Sequence, residues 1–382
     1  MKKVLITATV PSMIGQFNMS NIDILQNLGY QVYVACNFYD RSVWTEERIK
    51  QFIRDIKKEN VKYFQIDFSR SPVALLKNIK AYTQLSKIVY KEKIDLIHCH
   101  TPVAGVISRI VAHRKKVKVI YTAHGFHFFT GAPKINWIVF YPIEKFFSRW
   151  TDVLITINKE DFNRAKKEFH AKKVVYIPGV GVDTEKFRIC NSDKAKKRKE
   201  LNIPTNAFVL LSVGELQDRK NQKVVIEAVH KLDRKDIYYL IVGQGELEKE
   251  YRNTIIKYGL QDNIFLLGFR TDIAELCKAA DCFVHPSIRE GLGLAPLEAM
   301  ASGLPLISSY VNGIRDYTKD GVSGCCINDP KSVDSMAKAI QKMYSDKEYR
   351  DKCGAHNTVI AKKFDIKNTE AIMCEFYEKL SV

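Results

Sequence analysis

The feature that most limits how this chain can fold is an alternation of short apolar runs with longer amphipathic stretches, carried through twice. In the first half the apolar runs begin at Val4 and Gln31, recur near 61–66, and continue from Asp95, Val117 and Val153. Helical periodicity fills about 17–28, 43–58, 73–91, 103–113 and 134–149, with a loop expected over 10–16. Apolar runs this short, separated by amphipathic helices, suit a parallel sheet covered on both faces, because each crossover must return over the sheet. The turn-rich IPGVGVD at 177–183 and the polar, basic sequence running to Pro204 interrupt the pattern. It restarts with apolar runs at 208–213, 239–242, 264–267, 282–285 and 305–308. The reading is an α/β chain of two doubly wound, Rossmann-like domains facing a central cleft. Their bounds are 1–180 and 205–364, with a linker over 181–204 and a closing helix within 365–382. Sheets of this kind take ligands at the carboxyl ends of their strands.

At 382 residues with 46% hydrophobic residues, the chain can build two ordinary cores. Its formal net charge of +17 suits nucleic acid, an anionic membrane face or phosphorylated substrates. The nucleic-acid reading lacks an aromatic-rich basic strand repeat or a recognition-helix pattern. The densest basic cluster, KAKKRK at 194–199, reads as a solvated linker or helix start. Nine cysteines without a CxxC pair, several in strand-like runs, read as buried thiols in a reducing compartment. MKKVLITATV carries the charge of a signal peptide on too short an apolar run, and the longest apolar run, 137–143, is far short of a span. The expectation is a cytoplasmic protein, peripheral on the inner face of the cell membrane.

The stretch HPSIREGLGLAPLEAMASGLPLISS from His285 is strand, loop, glycine turn and helix in succession. Its carboxylates Glu290 and Glu298 stand eight positions apart, Glu298 about two turns inside the expected helix, with Gly291, Leu292 and Gly293 between them. Leu297, Met300 and Ala301 recur at helical spacing, and Gly303 to Pro305 stops the helix. Such a turn presents backbone N–H groups at a helix N-terminus, a site for phosphate. A diphosphate there would let the two carboxylates reach sugars at its two ends. By spacing alone, a solvated loop charge and a helix-surface glutamate fit equally well.

Glu-Gly-x-Gly followed by Glu298 resembles the signature of the retaining glycosyltransferases of family four, which have the GT-B architecture. The resemblance spans nearly the whole chain. It is closest in HGFHFFTGAPKINW, YPIEKFFSRWTDVLITINKEDF and IPGVGVD, near to enzymes that build capsular or exopolysaccharide repeat units on a lipid carrier. It implies that Glu298 accepts hydrogen bonds from the nucleotide ribose and that Glu290 lies by the donor sugar. The amides of Gly291 to Leu294 would then meet phosphate. Gly214, Arg219 and Lys220 match the basic strand-end motif that neutralises the leaving diphosphate. The early arginine of that motif is Glu215 here, and Arg219 is read as its substitute. Leu267 to Arg270 matches the segment that holds the base, and GQGELE from Gly243 reads as a structural turn.

The first half holds four histidines at strand ends, His98, His100, His124 and His127. Their spacing is not that of a metal helix and no acid accompanies them, so no metal and no cofactor is expected. His98 reads as a core residue. His124, before a glycine, resembles the family histidine that touches the donor sugar. Gly15 alone remains of the glycine pair that the family carries after its first strand, and is taken as an acceptor-side contact. The resemblance implies a retaining hexosyl- or N-acetylhexosaminyltransferase. It would move a sugar from a nucleotide-diphosphate donor, UDP-linked sugars being expected, to a polyprenyl-diphosphate-linked saccharide. Its rivals are a sugar-nucleotide epimerase of the same fold and a basic nucleic-acid binding protein. The stretch 133–150 is expected to dock on the membrane through Trp137, Phe140 and Tyr141 with Lys134 and Lys145, while Ile135, Ile138, Val139, Ile143, Phe146 and Trp150 pack inward. Pro142 is expected to kink or break that helix.

Overall fold

The computed structural model describes residues 1–380. Two compact units divide them: residues 1–180 together with the described residues from Asn368 on, and Gly181–Lys367.

The first unit is built on a seven-stranded, all-parallel sheet of order β3-β2-β1-β4-β5-β6-β7. Its elements are β1 (Lys3–Thr7), α1 (Pro11–Phe17), α2 (Met19–Asn27), β2 (Gln31–Cys36), α3 (Glu46–Lys58), β3 (Lys62–Gln65) and α4 (Leu75–Glu92). Then come β4 (Leu96–His100), α5 (Pro102–Lys115), β5 (Lys118–Ala123), α6 (Lys134–Ser148), β6 (Val153–Thr156), α7 (Lys159–Glu168) and β7 (Lys173–Tyr176). The central strands are buried on both faces, which is why their sequences are continuous apolar runs rather than alternating ones. The expected loop over 10–16 is instead α1: Pro11 stands at its first turn, where a missing N–H costs nothing. The seventh strand was not anticipated because KVVY is short and follows a strongly polar helix.

Helix α6 corrects the expected membrane face. Trp137, Phe140 and Tyr141 pack against the core with Phe126, Phe128 and Phe169, and Arg164 lies over the Trp137 ring at 4.5 Å. Ile135, Ile138, Val139 and Phe146, expected inside, are exposed. The aromatics win the interior because each buries more surface than an aliphatic side chain and they interlock as a cluster. Pro142 leaves the helix continuous. Among the described residues no helix is long and apolar enough to cross a membrane.

The second unit carries a six-stranded parallel sheet of order β10-β9-β8-β11-β12-β13. It begins with α8 (Thr184–Arg188) and α9 (Lys194–Glu200), inside the segment read as linker. Next are β8 (Phe208–Val213), α10 (Lys223–Leu232), β9 (Ile237–Val242), α11 (Glu248–Lys257), β10 (Ile264–Leu266) and α12 (Ile273–Ala279). The unit continues through β11 (Cys282–His285), α13 (Leu294–Ala301), β12 (Leu306–Ser309), β13 (Gly324–Ile327), α14 (Val333–Ser345) and α15 (Lys347–Ala361). The closing helix α16 (Ile366–Leu380) has its residues from Asn368 in the first unit. The basic cluster forms the helix α9 with Lys194, Lys196 and Lys199 exposed, but Lys197 and Arg198 are not solvated. Lys197 is buried against Asp272, Glu275 and Glu200, and Arg198 spends its guanidinium on Asp281 and the carbonyls of Thr205, Ala207 and Ala279. A buried charge needs such partners to offset lost hydration. All nine cysteines are free thiols.

Candidate active site

In the second unit β8 and β11 are parallel neighbours, so the loops leaving their carboxyl ends lie side by side. The loop after β8 starts at Gly214 and tightens into a 3-10 turn, Asp218–Lys220. The Ile288 N–H donates to the Arg219 carbonyl at 2.8 Å. Asn221, in the left-handed region at φ 57°, donates from Nδ2 to the carbonyls of Pro286 and Pro330 at 3.1 and 2.7 Å. Gly214 lies beneath Gly243: a Cβ on Gly243 would stand 1.9 Å from the Gly214 oxygen, so the GQG turn is a packing device.

Clamping these loops brings Lys220 Nζ to within 2.5 Å of Glu290 Oε2, both side chains 13% exposed. His285 Nε2 and Ser287 Oγ reach the same oxygen at 3.2 and 3.3 Å. Burial pushes the Glu290 carboxyl upward, but the Lys220 ammonium and the His285 hydrogen bond outweigh it and hold the group far below the usual carboxylate range. Burial lowers His285, which stays neutral and donates from Nε2 to the ionised Glu290.

The turn after Glu290 is braced from behind. A Cβ on Gly313 would stand 2.1 Å from the Gly291 oxygen, and Tyr317 donates its hydroxyl to the Leu292 carbonyl at 2.8 Å. Leu292 itself is buried, so only its backbone is available to a ligand. Gly293, at φ +85°, stands at the N-cap of α13 and supplies no side chain to the first-turn N–H groups, of which Leu294 bears the first. Glu298 is the fifth residue of α13, so it stands just over one turn in rather than two. Burial raises its pKa, against the field of Lys186 on α8.

Arg219 is paired with Glu215 at 2.9 Å, so the acid standing where the family motif has arginine takes up the substitute. Arg270 is held by Asp272 at 2.5 Å and Glu200 at 3.4 Å, in the network of Lys197. The structure therefore brings Gly214, Lys220, Glu290 and Gly291 to Leu294 together, with Glu298 one turn further along α13. It leaves the Arg270 side chain to another cluster.

In the first unit Gly15 lies inside α1, where a Cβ would stand 2.4 Å from the Trp44 ring. That close packing accounts for the glycine, and the expected acceptor loop is absent there. The histidines do cluster at the ends of β4 and β5. His98 lies between Tyr377 of α16 and Thr122, at 2.7 and 2.8 Å, and its ring is tilted by 39° against that of His100 with centroids 4.3 Å apart. His100 Nδ1 meets His124 Nε2 at 3.0 Å, while His100 Nε2 is buried without a partner. Burial lowers all three, His98 to about 3 and His124 to about 4, so they are neutral at pH 7. An orphaned buried N–H is rarer than an orphaned acceptor. The shared proton therefore sits on His100 Nδ1, and His124 carries its own on Nδ1 and can present it as a donor. Beside them Thr101 adopts φ +66° and bonds Thr9 through its hydroxyl at 2.7 Å. Among the described residues no group of three His, Cys, Asp or Glu is placed to hold a metal ion.

His285, Ser287, Asn221, Gly313 and Tyr317 escaped the sequence reading. A histidine ending an apolar strand before Pro286 was a usable signal. Gly313 and Tyr317 gave none, because they act across about twenty residues on the backbone of the turn.

Two parallel-sheet Rossmann-like units of this form define the GT-B class. HepE of Anabaena, solved with UDP-glucose, superposes with a TM-score of 0.79 at 21% identity over 99% of this chain and all of its own. WaaG, a glycosyltransferase involved in lipopolysaccharide biosynthesis, gives 0.73 at 18% over 98% and 99%. The family "Glycosyltransferase Family 4" matches residues 22–186 and "Glycosyl transferases group 1" matches 193–358. A provisionally named glycosyltransferase, EpsD of Bacillus subtilis, is 35% identical over 98% of this chain and 96% of its own. An Escherichia coli enzyme, UDP-Gal:alpha-D-GlcNAc-diphosphoundecaprenol alpha-1,3-galactosyltransferase, is 34% identical over 77% and 78%. The chain belongs to glycosyltransferase family four.

Proposed function

We propose that this protein transfers a hexosyl or N-acetylhexosaminyl group, with retention of configuration, from a UDP-linked donor to a saccharide carried on a polyprenyl diphosphate. The step belongs to the assembly of exopolysaccharide or capsule repeat units. The observation that carries this reading is the juxtaposition, in the second unit, of the charged Lys220–Glu290 pair with the turn before α13. It draws support from the Escherichia coli relative, whose name specifies a UDP-sugar donor and a diphosphoundecaprenol acceptor.

The diphosphate sits on the N–H groups of residues 291–294, where the helix dipole favours negative charge, and Lys220 swings or leans from Glu290 to meet it. Glu298 takes the ribose hydroxyls on its two oxygens. As the bond from the anomeric carbon to the diphosphate oxygen breaks, charge grows on that oxygen, and Lys220 with the helix N-terminus stabilises it there. The acceptor hydroxyl bonds to the same carbon from the same face, and its proton leaves on the departing UDP. Glu290 holds Lys220 aimed until the donor arrives. His124, a neutral donor from Nδ1, is the group the first unit offers to a sugar hydroxyl.

The test is incubation of the protein with a panel of labelled UDP-sugars and a synthetic GlcNAc-diphosphate lipid. The reading expects one donor to give a lipid-linked disaccharide with an α-linkage. A donor turned over equally well without any acceptor would replace transfer with isomerisation, and a β-linked product would refute retention.

A further inference from the structure

The strand β6 runs beside β5, and Ala123 at the end of β5 pairs with Thr156. The chain leaving β5 and the helix that follows β6 therefore start side by side at the carboxyl edge of the sheet. That helix, α7, is capped by Asn158 and opens with Lys159, Glu160 and Asp161. Acids in a first turn commonly face water and do no more than meet the helix dipole. These two are withdrawn from water: Asp161 is wholly buried and the Glu160 side chain is 17% exposed.

Both are spent on residues 124–133, which join β5 to α6 without helix or strand. Backbone outside regular structure needs other partners for its N–H groups. Asp161 Oδ2 accepts from the Phe126 N–H and from Asn158 Nδ2, each at 2.9 Å, while Asn158 Oδ1 accepts from the Asp161 N–H at 2.8 Å. Glu160 Oε1 accepts from the Thr130 N–H at 2.6 Å, the Thr130 hydroxyl at 2.8 Å and Arg164 at 3.0 Å. Burial pushes the Asp161 carboxyl up to about 6, against the Phe126 and Asn158 bonds, so the group is ionised at pH 7. An N–H bond to an ionised carboxylate is about twice as strong as a neutral one.

His124 lies between these anchors and the strand. Gly125 follows it at φ +111°, a conformation open to glycine, so no side chain of its own restrains that joint. Pairing of Ala123 fixes the backbone just before His124, and Asp161 fixes it two residues after. His124 is itself half-buried, 3.0 Å from His100. A group displaced by about 1 Å from its reacting partner loses on the order of 10²-fold in rate, so a few bonds to this loop bear on turnover.

We propose that Asp161 and Glu160 are positioning residues for sugar transfer, which hold residues 126–130 so that His124 meets the donor sugar at one fixed place. They act through the loop backbone. This rests on the role of His124 in the proposed function.

The test compares Asp161→Leu, Asp161→Asn and Glu160→Ala in the full chain. Asparagine keeps a carbonyl oxygen for both donors that Asp161 Oδ2 serves, and leucine keeps the volume without an acceptor. Hydrogen exchange at the Phe126 and Thr130 amides reads the loop, nitrogen NMR reads the His124 ring, and kinetics with the proposed lipid acceptor read turnover. Asp161→Leu should speed exchange at Phe126, move the His124 signals and lower kcat by about tenfold or more, with UDP affinity unchanged in calorimetry. Asp161→Asn should stay within about threefold of wild type, because it keeps both bonds in neutral form. Glu160→Ala, at a partly exposed side chain, should fold, speed exchange at Thr130 and lower kcat. A folded Asp161→Leu with wild-type kcat overturns the proposal. So does an Asp161→Asn as slow as Asp161→Leu, or a loss of UDP affinity in step with kcat. If Asp161→Leu does not fold, wild-type kcat in Glu160→Ala overturns it. A wild type that transfers no sugar refutes the proposed function instead, and unmoved His124 signals in the folded variants then overturn the positioning role.

Discussion

Replacing Lys220 with Met isolates the electrostatic centre of the site. The ammonium and the Glu290 carboxylate are 2.5 Å apart and each side chain is 13% exposed, so the pair is nearly but not fully dehydrated. Breaking such a pair leaves an uncompensated charge and costs about 3 kcal/mol, the low end of the range for fully buried pairs. Glu290→Gln should cost less, because Lys220 is long enough to turn toward water. The double variant leaves no orphaned charge, so the two single losses should exceed the double loss by about 2 kcal/mol in urea denaturation. The pH dependence has a definite sign. In wild type the Glu290 pKa is depressed on folding, so its contribution is present above the ordinary value of 4.5 and is lost as pH falls. In Lys220→Met burial acts with less opposition and the Glu290 pKa rises, so the variant's deficit should shrink as pH falls. Losses that add within about 0.5 kcal/mol, or a deficit that does not change with pH, would refute the coupling.

Other consequences follow from the same geometry. Gly313→Ala forces the turn away from its 2.1 Å approach to the Gly291 oxygen, and should destabilise the chain by about 2 kcal/mol and weaken UDP binding together, read by urea denaturation and calorimetry. Burial depresses His98 to about 3, so folding favours its neutral ring. That contribution is complete above 6.5 and falls away as pH drops toward 3, about 2 kcal/mol being gone at pH 5, and His98→Asn should flatten this part of the stability profile. Nitrogen NMR should find His124 protonated on Nδ1 and bare on Nε2 at pH 7, and His100→Phe should abolish that preference. Arg219→Ala should lower kcat more than it raises KM if Arg219 leaves Glu215 to meet the departing diphosphate; an effect on KM alone would make it a binding group.

The strand-helix alternation was legible because parallel strands buried on both faces are mostly apolar runs, and β1, β8, β9 and β11 are such runs. The segment from Glu290 to Glu298 was legible for a local reason: a glycine turn before an apolar helix is contiguous in sequence. What escaped was decided at a distance. The two sides of α6 are both apolar, and only the neighbouring Phe128 and Phe169 determine that the aromatic side goes inward. The acids that bury Lys197 and Arg198 lie on or beside α12 and β11, about 70 residues or more away, so the cluster looked like a solvated run. Gly15 looked like the remnant of a binding loop because nothing local announces Trp44 against it.

Calorimetric titration of UDP into wild type and Glu298→Ala bears most directly on the central claim, that the second unit's sheet edge holds a nucleoside diphosphate with its ribose on α13. The account predicts that the variant stays folded and loses about 1.5–3 kcal/mol of affinity, the scale of hydrogen bonds to a charged group. Because burial raises the Glu298 pKa, wild-type affinity should also begin to fall at a pH above the ordinary carboxylate value, and the variant should lose that dependence. Equal affinity for UDP in the two proteins would contradict it.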